Sequence, residues 1–471
     1  MLTPSNFFYL VWLGLTLYSL GHLLLEKRAP SSMLAWIFFV LLVPIGGPVL
    51  YLTFGSQRLE RNAIKRKREI VRWTTDPLSS SELENPDFPS DVRHVLSLAR
   101  QISEYGFTAG NEIELLSDPN HALEAMQSEI AKAQRFIHLE YYIIESDEVT
   151  RQLFDALEEA KKRGVEVRIL YDSLGSIWLK RIFLHSLIKA GAKVAGFLPL
   201  SFLPQRINFN FRNHRKILVI DGRVAFTGGT NIGRKYLGRR FDQQWHDYSV
   251  RVTGPTCLQL EDVFAKDWHF TTQEDLFGSQ YYPSVQGMGG NAIQVLESGP
   301  DSTFLALHHA LILALNSAHK EILLTTPYFI PDPALMTTLR VAALKGVRVR
   351  LVLPQKTDQW LVHYASRSFY DSLLRAGVEI YEYEPRILHA KLLTIDGDWT
   401  IVGSANMDTR SFRLNFELNL LIYGKTVASQ AKGLLERDLQ HCKRVNLEQF
   451  QNRPVIHRMV ENACRLLSPL L

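Results

Sequence analysis

Charged side chains are missing from two runs near the start of the chain, Phe7–Leu25 and Met33–Phe54. Each is long enough to cross the ~30 Å hydrocarbon core of a bilayer as a helix. The polar EKRAPSS between them predicts a tight turn, so residues 1–56 read as a transmembrane helical hairpin. A signal peptide fits poorly, because no basic stretch precedes the first run and a second apolar run follows at once. Gln57–Arg72 (QRLERNAIKRKREIVR) is dominated by Lys and Arg. Together with Lys27 and Arg28 in the turn, it sets the expected topology. The positive-inside rule puts the basic segment, and everything after it, on the cytoplasmic side of the membrane. The same charges suit anionic headgroups. Trp12, Trp36 and Tyr51 fit interfacial anchors. Thr74–Pro89, rich in Ser, Pro, Asp and Glu, reads as a linker that completes a segment over 57–90.

Beyond the linker the pattern alternates between strand-like and helix-like, and it does so twice. Arg135–Ile144 (RFIHLEYYII) and Lys320–Ile330 (KEILLTTPYFI) are rich in β-branched and aromatic residues and predict strands. Amphipathic helices are predicted over Val149–Lys162 and Ala334–Lys345. Each ends at a glycine followed by another strand (RGVEVRIL, KGVRVRLVL), with a further helix closing at Ala190-Gly191 or Ala376-Gly377. The Pro/Gly-rich Tyr282–Asn291 marks the boundary. The expectation is an α/β protein of two similar sandwich halves, 91–285 and 286–471, related by pseudo-twofold symmetry.

Bulk composition narrows the class only a little. At 471 residues, 46% hydrophobic and 21% charged, the chain is long and apolar enough for a large core. Its net charge is only +5. Cys257, Cys442 and Cys464 form no spaced pairs, which argues against a disulfide framework or a cysteine zinc site and suits a reducing compartment.

The chemistry lies at the ends of the two repeats. Asn213–Gly233 reads NHRKILVIDGRVAFTGGTNIG, and from His389 the chain reads HAKLLTIDGDWTIVGSAN. In both, IDG after β-formers predicts a hairpin turn. His214 and Lys216 then share a strand face, as do His389 and Lys391, while Asp221 and Asp396 fall in the turns. A two-residue turn pairs Ile220 with Arg223, and so His214 with Gly229 and His389 with Ser404. Small residues beside each histidine leave room for a ligand, and Asn231 and Asn406 follow with amide donors. A His with a Lys and an Asn suits a phosphoryl oxyanion. Two such sites suit displacement at phosphorus, with one imidazole attacking and the other protonating the leaving oxygen. No His, Cys or carboxylate run has convincing metal-ligand spacing, so neither a metal nor a cofactor is expected. His308-His309 on LALHHALILAL reads as a packing or surface feature.

These residues resemble the phospholipase D superfamily, whose HxKxxxxD motif, glycine-rich stretch and Asn occur here in both copies. Within it, the N-terminal hairpin, VPIGGPVLYLTFG, RNHRK and TPYFIP resemble the bacterial cardiolipin synthase family. The resemblance implies transfer of a phosphatidyl group from one phosphatidylglycerol to another, releasing glycerol, through a phosphohistidine intermediate. It implies His214 as nucleophile and His389 as acid and base. Lys216, Lys391, Asn231 and Asn406 fall at phosphate-binding positions, and Asp221 and Asp396 complete the catalytic motif. Asp247 (QQWHDYSV) and Glu417 (RLNFELNL) fit the acidic position that orients an imidazole through its other nitrogen. Gly229 stands where the second copy has Ser404, an inequivalence whose direction the sequence leaves open. The implied partners are phosphatidylglycerol and membrane lipids rather than nucleic acid. The implied location is the bacterial inner membrane, and a homo-oligomer stays open. FLPLSFLPQ, around Phe197–Phe202, and SIWLKRIF, with Trp178, Lys180, Arg181 and Phe183, have the composition of membrane-contacting segments, though burial explains them equally. Hydrolysis to phosphatidic acid, another phosphatidyl transfer of the same superfamily, a nuclease and a catalytically dead tethered lipid-binding protein are the competing readings. The apolar hairpin disfavours the nuclease, and two intact motifs disfavour the dead protein.

Overall fold

The computed structural model describes residues 4–26, 30–52, 89–199, 211–237, 244–287, 289–302 and 305–468. The basic segment Gln57–Arg72, Lys27 and Arg28, nearly all of Thr74–Pro89, and the part of FLPLSFLPQ from Leu200 lie outside them.

At the N-terminus, helices Pro4–Leu25 and Pro30–Leu42 precede a short helix, Gly46–Leu50. Leu23, Val40 and Tyr51 are buried between them, and the Tyr51 hydroxyl lies 2.8 Å from His22 Nδ1. The second apolar run was expected to be continuous over Met33–Phe54; the structure divides it. Pro44 offers no N–H to a helix and clashes with the preceding turn. Ile45 takes φ 60°, and a Cβ on Gly47 would lie 2.5 Å from the Phe39 carbonyl oxygen. Among the described residues one helix, Asn6–Leu25, has the length and composition to cross a membrane.

The remainder is an α/β body, described on its own. Its strands are β1 (Thr108–Leu116), β2 (Phe136–Tyr141), β3 (Glu166–Asp172), β4 (Lys193–Phe197), β5 (Lys216–Ile220), β6 (Val224–Gly228) and β7 (Ser249–Thr253), then β8 (Asn291–Ser298), β9 (Glu321–Thr325), β10 (Phe329–Ile330), β11 (Arg348–Pro354), β12 (Glu379–Tyr383), β13 (Leu392–Ile395), β14 (Trp399–Gly403), β15 (Met407–Asp408), β16 (Glu417–Tyr423) and β17 (Cys442–Arg444). One mixed sheet has the order β4-β3-β2-β5-β6-β7-β1-β8-β16-β14-β13-β9-β11-β12-β17, with β10 and β15 pairing apart from it. The central pair, β1 and β8, is antiparallel. Outward from it, the run β7-β6-β5-β2-β3-β4 has the same chain logic as β16-β14-β13-β9-β11-β12.

Each side has its own core. Leu139, Ile169, Leu218 and Phe226 pack with helices Pro119–Lys132 and Glu148–Lys162; Ile322, Leu351, Leu393 and Ile401 pack with Ala306–Asn316 and Pro333–Leu344. The helices after β2 and β10 match the amphipathic patterns, and Gly164 and Gly346 follow them in left-handed geometry (φ 91° and 94°). One helix departs from the expected division. Ser90–Ile102 precedes β1 but buries Val92, Val95 and Leu96 in the second core, beside Leu307 and Leu311. The chain enters beside the β1/β8 seam, so the nearest open apolar face belongs to the second half.

Candidate active site

The two hairpins carry the motif lysines. In the first, Arg223 N–H donates to the Ile220 carbonyl at 3.0 Å around Asp221 (φ 55°) and Gly222 (φ 66°). The expected register is corrected by one residue: Ile220 lies opposite Val224, and likewise Ile395 lies opposite Trp399. The turn is two residues long as expected, but Arg223 and Asp398 are left as extra residues on the return strands. His214 therefore does not pair with Gly229, nor His389 with Ser404, and both ladders begin beyond the histidines.

Asp221 and Asp396 do not stand with the imidazoles. The Asp221 carboxylate accepts from the N–H groups of Gln134, Arg135 and Phe136 at 2.8–2.9 Å. Asp396 accepts from His319, Lys320 and Glu321 at 2.7–2.8 Å. Each pins the entry of the neighbouring strand, β2 or β9. Both aspartates thus occupy the turn position that strand parity gives them, with their carboxylates on backbone N–H groups.

What holds the histidines is the opposite half. His214 N–H donates to the Phe416 carbonyl (2.9 Å), and Phe416 N–H donates to that of Arg212 (2.8 Å). His389 N–H donates to the His246 carbonyl (2.7 Å), and His246 N–H donates to that of Ile387 (2.8 Å). These exchanges carry the carboxylates across. His214 Nδ1 lies 2.8 Å from Glu417 Oε2, and His389 Nδ1 lies 2.6 Å from Asp247 Oδ2. With Nδ1–H donated to a carboxylate, each Nε2 is left with its lone pair. Sequence reasoning chose both acids without saying which imidazole each meets; the structure sets each against the histidine of the other copy.

All six groups are buried. Burial pushes both histidines down: His214 is lowered despite Glu417 beside it, and His389, with Lys391 adding to the effect, falls to about 4. Burial also lowers Lys216 to about 7 and lowers Lys391. Burial opposes ionisation of the acids too, but neighbouring charge outweighs it. Lys391 and His389 hold Asp247 below its usual range, and His214 with Lys216 holds Glu417 at about 2. The lysine ammoniums turn back onto the carbonyls of His214 (2.5 Å) and His389, with Lys391 Nζ also 3.0 Å from His389 Nδ1. Burying two lysines at one site disfavours their charged form, and an incoming anion offsets that cost.

The glycine-rich segments prove to serve the carboxylates. A Cβ on Gly229 would stand 2.3 Å from Asp247 Oδ1. At the matching place, Ser404 Oγ donates to Glu417 Oε2 at 2.5 Å. Asn231 Oδ1 accepts from Ile143 N–H (3.2 Å), and Asn406 Oδ1 is buried with no hydrogen-bond partner. Several neighbours escaped sequence reasoning. Tyr142 meets the His214 ring edge-on at 4.7 Å, and Trp245 lies 5.1 Å from the ring of His389. Arg215, fully buried, reaches Asp267 (2.6 Å), Glu297 (3.2 Å) and the Glu417 carbonyl (3.3 Å). The one available signal was the contrast of HRK with HAK, since Ala390 occupies the matching position. His308 bonds Asp332 (3.2 Å), a helix-capping residue far along the chain from either motif.

The family model described as "Cardiolipin synthase, PLD-like domain" matches residues 126–268 and 311–439, and "Phospholipase_D-nuclease N-terminal" matches 14–56. A cardiolipin synthase of Geobacillus kaustophilus is 38% identical, over 95% of this chain and 90% of its own length. The major cardiolipin synthase of Bacillus subtilis is 34% identical, over 95% of each chain. Among solved structures, phosphatidylserine synthase of Haemophilus influenzae superposes with a TM-score of 0.62 at 15% identity, covering 80% of this chain and 100% of that one. That last likeness concerns the fold.

Proposed function

We infer the activity from a plain premise: this chain belongs to the phospholipase D-like cardiolipin synthase family. It is a phosphatidyltransferase that makes cardiolipin, a membrane-associated enzyme acting on phosphatidylglycerol. The observation that carries the mechanism is the crossed pair of His–carboxylate contacts inside one buried, lysine-lined site.

In the proposed sequence, His214 Nε2 attacks the phosphorus of one phosphatidylglycerol. The P–N bond forms as the bond to the headgroup glycerol breaks, and protonated His389 gives that oxygen its proton. The headgroup hydroxyl of a second phosphatidylglycerol then passes its proton to His389 and attacks phosphorus, releasing His214 and completing cardiolipin. Lys216 and Lys391, with Asn231 and Asn406, balance charge on the non-bridging oxygens. Glu417 and Asp247 stabilise each imidazolium in turn. Burial pushes both imidazoles down, so the phosphate's negative charge is what raises His389 enough to act as an acid. One observation favours the reverse assignment. His389 is pushed down to about 4, which suits a nucleophile.

The repeated strand order supports a pseudo-twofold relation of the halves, with one imidazole on each side of the phosphorus. The apolar N-terminal runs support a hairpin anchor in the bacterial inner membrane, and the basic Gln57–Arg72 supports a cytoplasmic catalytic body. Protease accessibility of that body in inside-out vesicles, against right-side-out ones, tests the sidedness.

Membranes carrying the protein, given labelled phosphatidylglycerol, are expected to yield cardiolipin and glycerol in equal amounts. Phosphatidic acid without cardiolipin would sink the transferase reading in favour of hydrolysis. A phosphoryl label trapped on His214 in the His389→Ala variant is expected; a label on His389 in His214→Ala instead reverses the roles.

A further inference from the structure

Two tryptophans stand out among the exposed residues. Trp178 is 83% and Trp360 64% exposed. They follow β3, which ends at Asp172, and β11, which ends at Pro354, at equal offsets along the chain. Since β3 and β11 hold the same place in the repeated strand order, the tryptophans hold matching places in the two halves.

Both places lie at the catalytic end of the sheet. β3 runs parallel to β2, and β5 runs antiparallel to it, so the C-terminal end of β3 and the N-terminal end of β5, beyond which His214 lies, share one edge. Short contacts link the tryptophan loops to that edge. Ser146 Oγ donates to the Trp178 carbonyl (3.2 Å), and Ser176 Oγ donates to that of Tyr142, whose ring meets His214. On the other side, the Tyr328 hydroxyl donates to Asp358 (2.7 Å), two residues before Trp360.

Each tryptophan stands in an exposed apolar and basic setting. Ile177 and Ile182 are exposed around Trp178, with Lys180 and Arg181 between them. Trp360 opens helix Trp360–Arg367, which packs beside helix Val455–Arg465, with Arg367 3.4 Å from Glu461. That second helix exposes Val455, Ile456 and Met459 along with Arg458. Exposed apolar patches of this kind mark contact surfaces. Tryptophan beside basic residues is the composition of a membrane interface, where the indole sits at headgroup depth and the cations meet anionic phosphates.

We propose that Trp178 and Trp360, with their apolar and basic neighbours, are a matched pair of footholds that seat the catalytic end of the α/β body on an anionic bilayer surface, one foothold for each half-site. The proposal rests on the phosphatidyltransferase reading, since a site whose substrates are bilayer lipids must present its open end to the bilayer. A protein partner gives no reason for the feature to recur in both halves.

The test uses the full-length protein in vesicles of phosphatidylglycerol and phosphatidylcholine, the latter brominated on its acyl chains as a quencher of tryptophan emission. Trp12 and Trp36 in the N-terminal helices supply a constant background. The quenched fraction is expected to fall in the Trp178→Phe/Trp360→Phe variant, because two lipid-contacting fluorophores have been removed. An unchanged or larger quenched fraction overturns the proposal. Emission from these tryptophans that follows the protein-to-lipid ratio but ignores bromination points to a second copy of the chain as the occupant and also overturns it. Cardiolipin formation is assayed on the same vesicles. Its absence in the wild-type protein defeats the activity reading and leaves the quenching result standing.

Discussion

Gly229 and Ser404 occupy matching places and solve one problem in two ways. The shorter Asp247 needs the space that a side chain at 229 would fill, whereas the longer Glu417 is met by a hydroxyl. Gly229→Ser is therefore expected to displace Asp247 and cost about 10²-fold in turnover, the scale of an ångström misplacement of a catalytic group. Initial-rate cardiolipin synthesis measures it, and near-wild-type turnover would mean that Asp247 does not need this position. Asp221→Ala and Asp396→Ala should behave differently. Each removes a carboxylate that accepts three backbone N–H groups, at a cost of about 1–3 kcal/mol in stability after allowance for partial exposure. Their thermal midpoints should fall, while turnover per folded molecule should stay within severalfold of wild type. Loss of turnover without loss of stability would return these aspartates to the chemistry.

At the scale of elements, the two half-sites rest on different supports. The start of β5 is braced from below by Arg215, which joins Asp267 on helix Thr256–Thr272 to Glu297 on β8. Asn213 adds a contact to Glu140 on β2 (2.5 Å). The start of β13 carries Ala390 and Leu388 at those places, both buried and without a charged or amide side chain. Removing one member of a buried ion network leaves the others uncompensated, so Arg215→Ala is expected to cost about 3–5 kcal/mol. Ala390→Gly should cost far less, about 1 kcal/mol from backbone entropy. Chemical denaturation in detergent compares the two, and equal costs would mean that the Arg215 network contributes no more than a methyl group.

The whole molecule is built so that neither half holds a finished His–carboxylate pair. Coupling should therefore follow the crossed contacts. Read in thermal stability rather than turnover, Glu417→Gln is expected to add little to the loss already caused by His214→Ala, while Asp247→Asn on the same background should add its full effect. Additive losses for His214 and Glu417 would contradict the crossing. Acid should also expose the design. His389 is lowered from 6.5 to about 4 and Glu417 from 4.5 to about 2, so in both ranges the unfolded chain binds more protons than the folded one. Stability from His389 is fully present above pH 6.5 and is lost as pH falls toward 4; that from Glu417 is lost between pH 4.5 and 2. Thermal midpoints measured against pH should fall through the first window in the wild type and fall less steeply there in His389→Ala. Parallel slopes would mean that His389 is not held neutral by the fold.

Local chemistry was legible from the chain alone. The apolar first helix, the alternating strands and helices, the glycine that ends each amphipathic helix and the separation of Asp221 from His214 all follow from side-chain period and backbone preference over a few residues. So did the identity of the two carboxylates, through a resemblance carried by contiguous motifs. The placements that depend on distant chain segments were not. The break after Val43, the extra residue in each hairpin, the docking of helix Ser90–Ile102 in the second core and the exchange of Asp247 and Glu417 between copies are settled by which faces meet across the sheet. A repeat tells which residues are equivalent. Only packing decides which of two equivalent partners each one touches, because main-chain bonds from His214 to Phe416 and from His389 to His246 join segments some 140–200 residues apart.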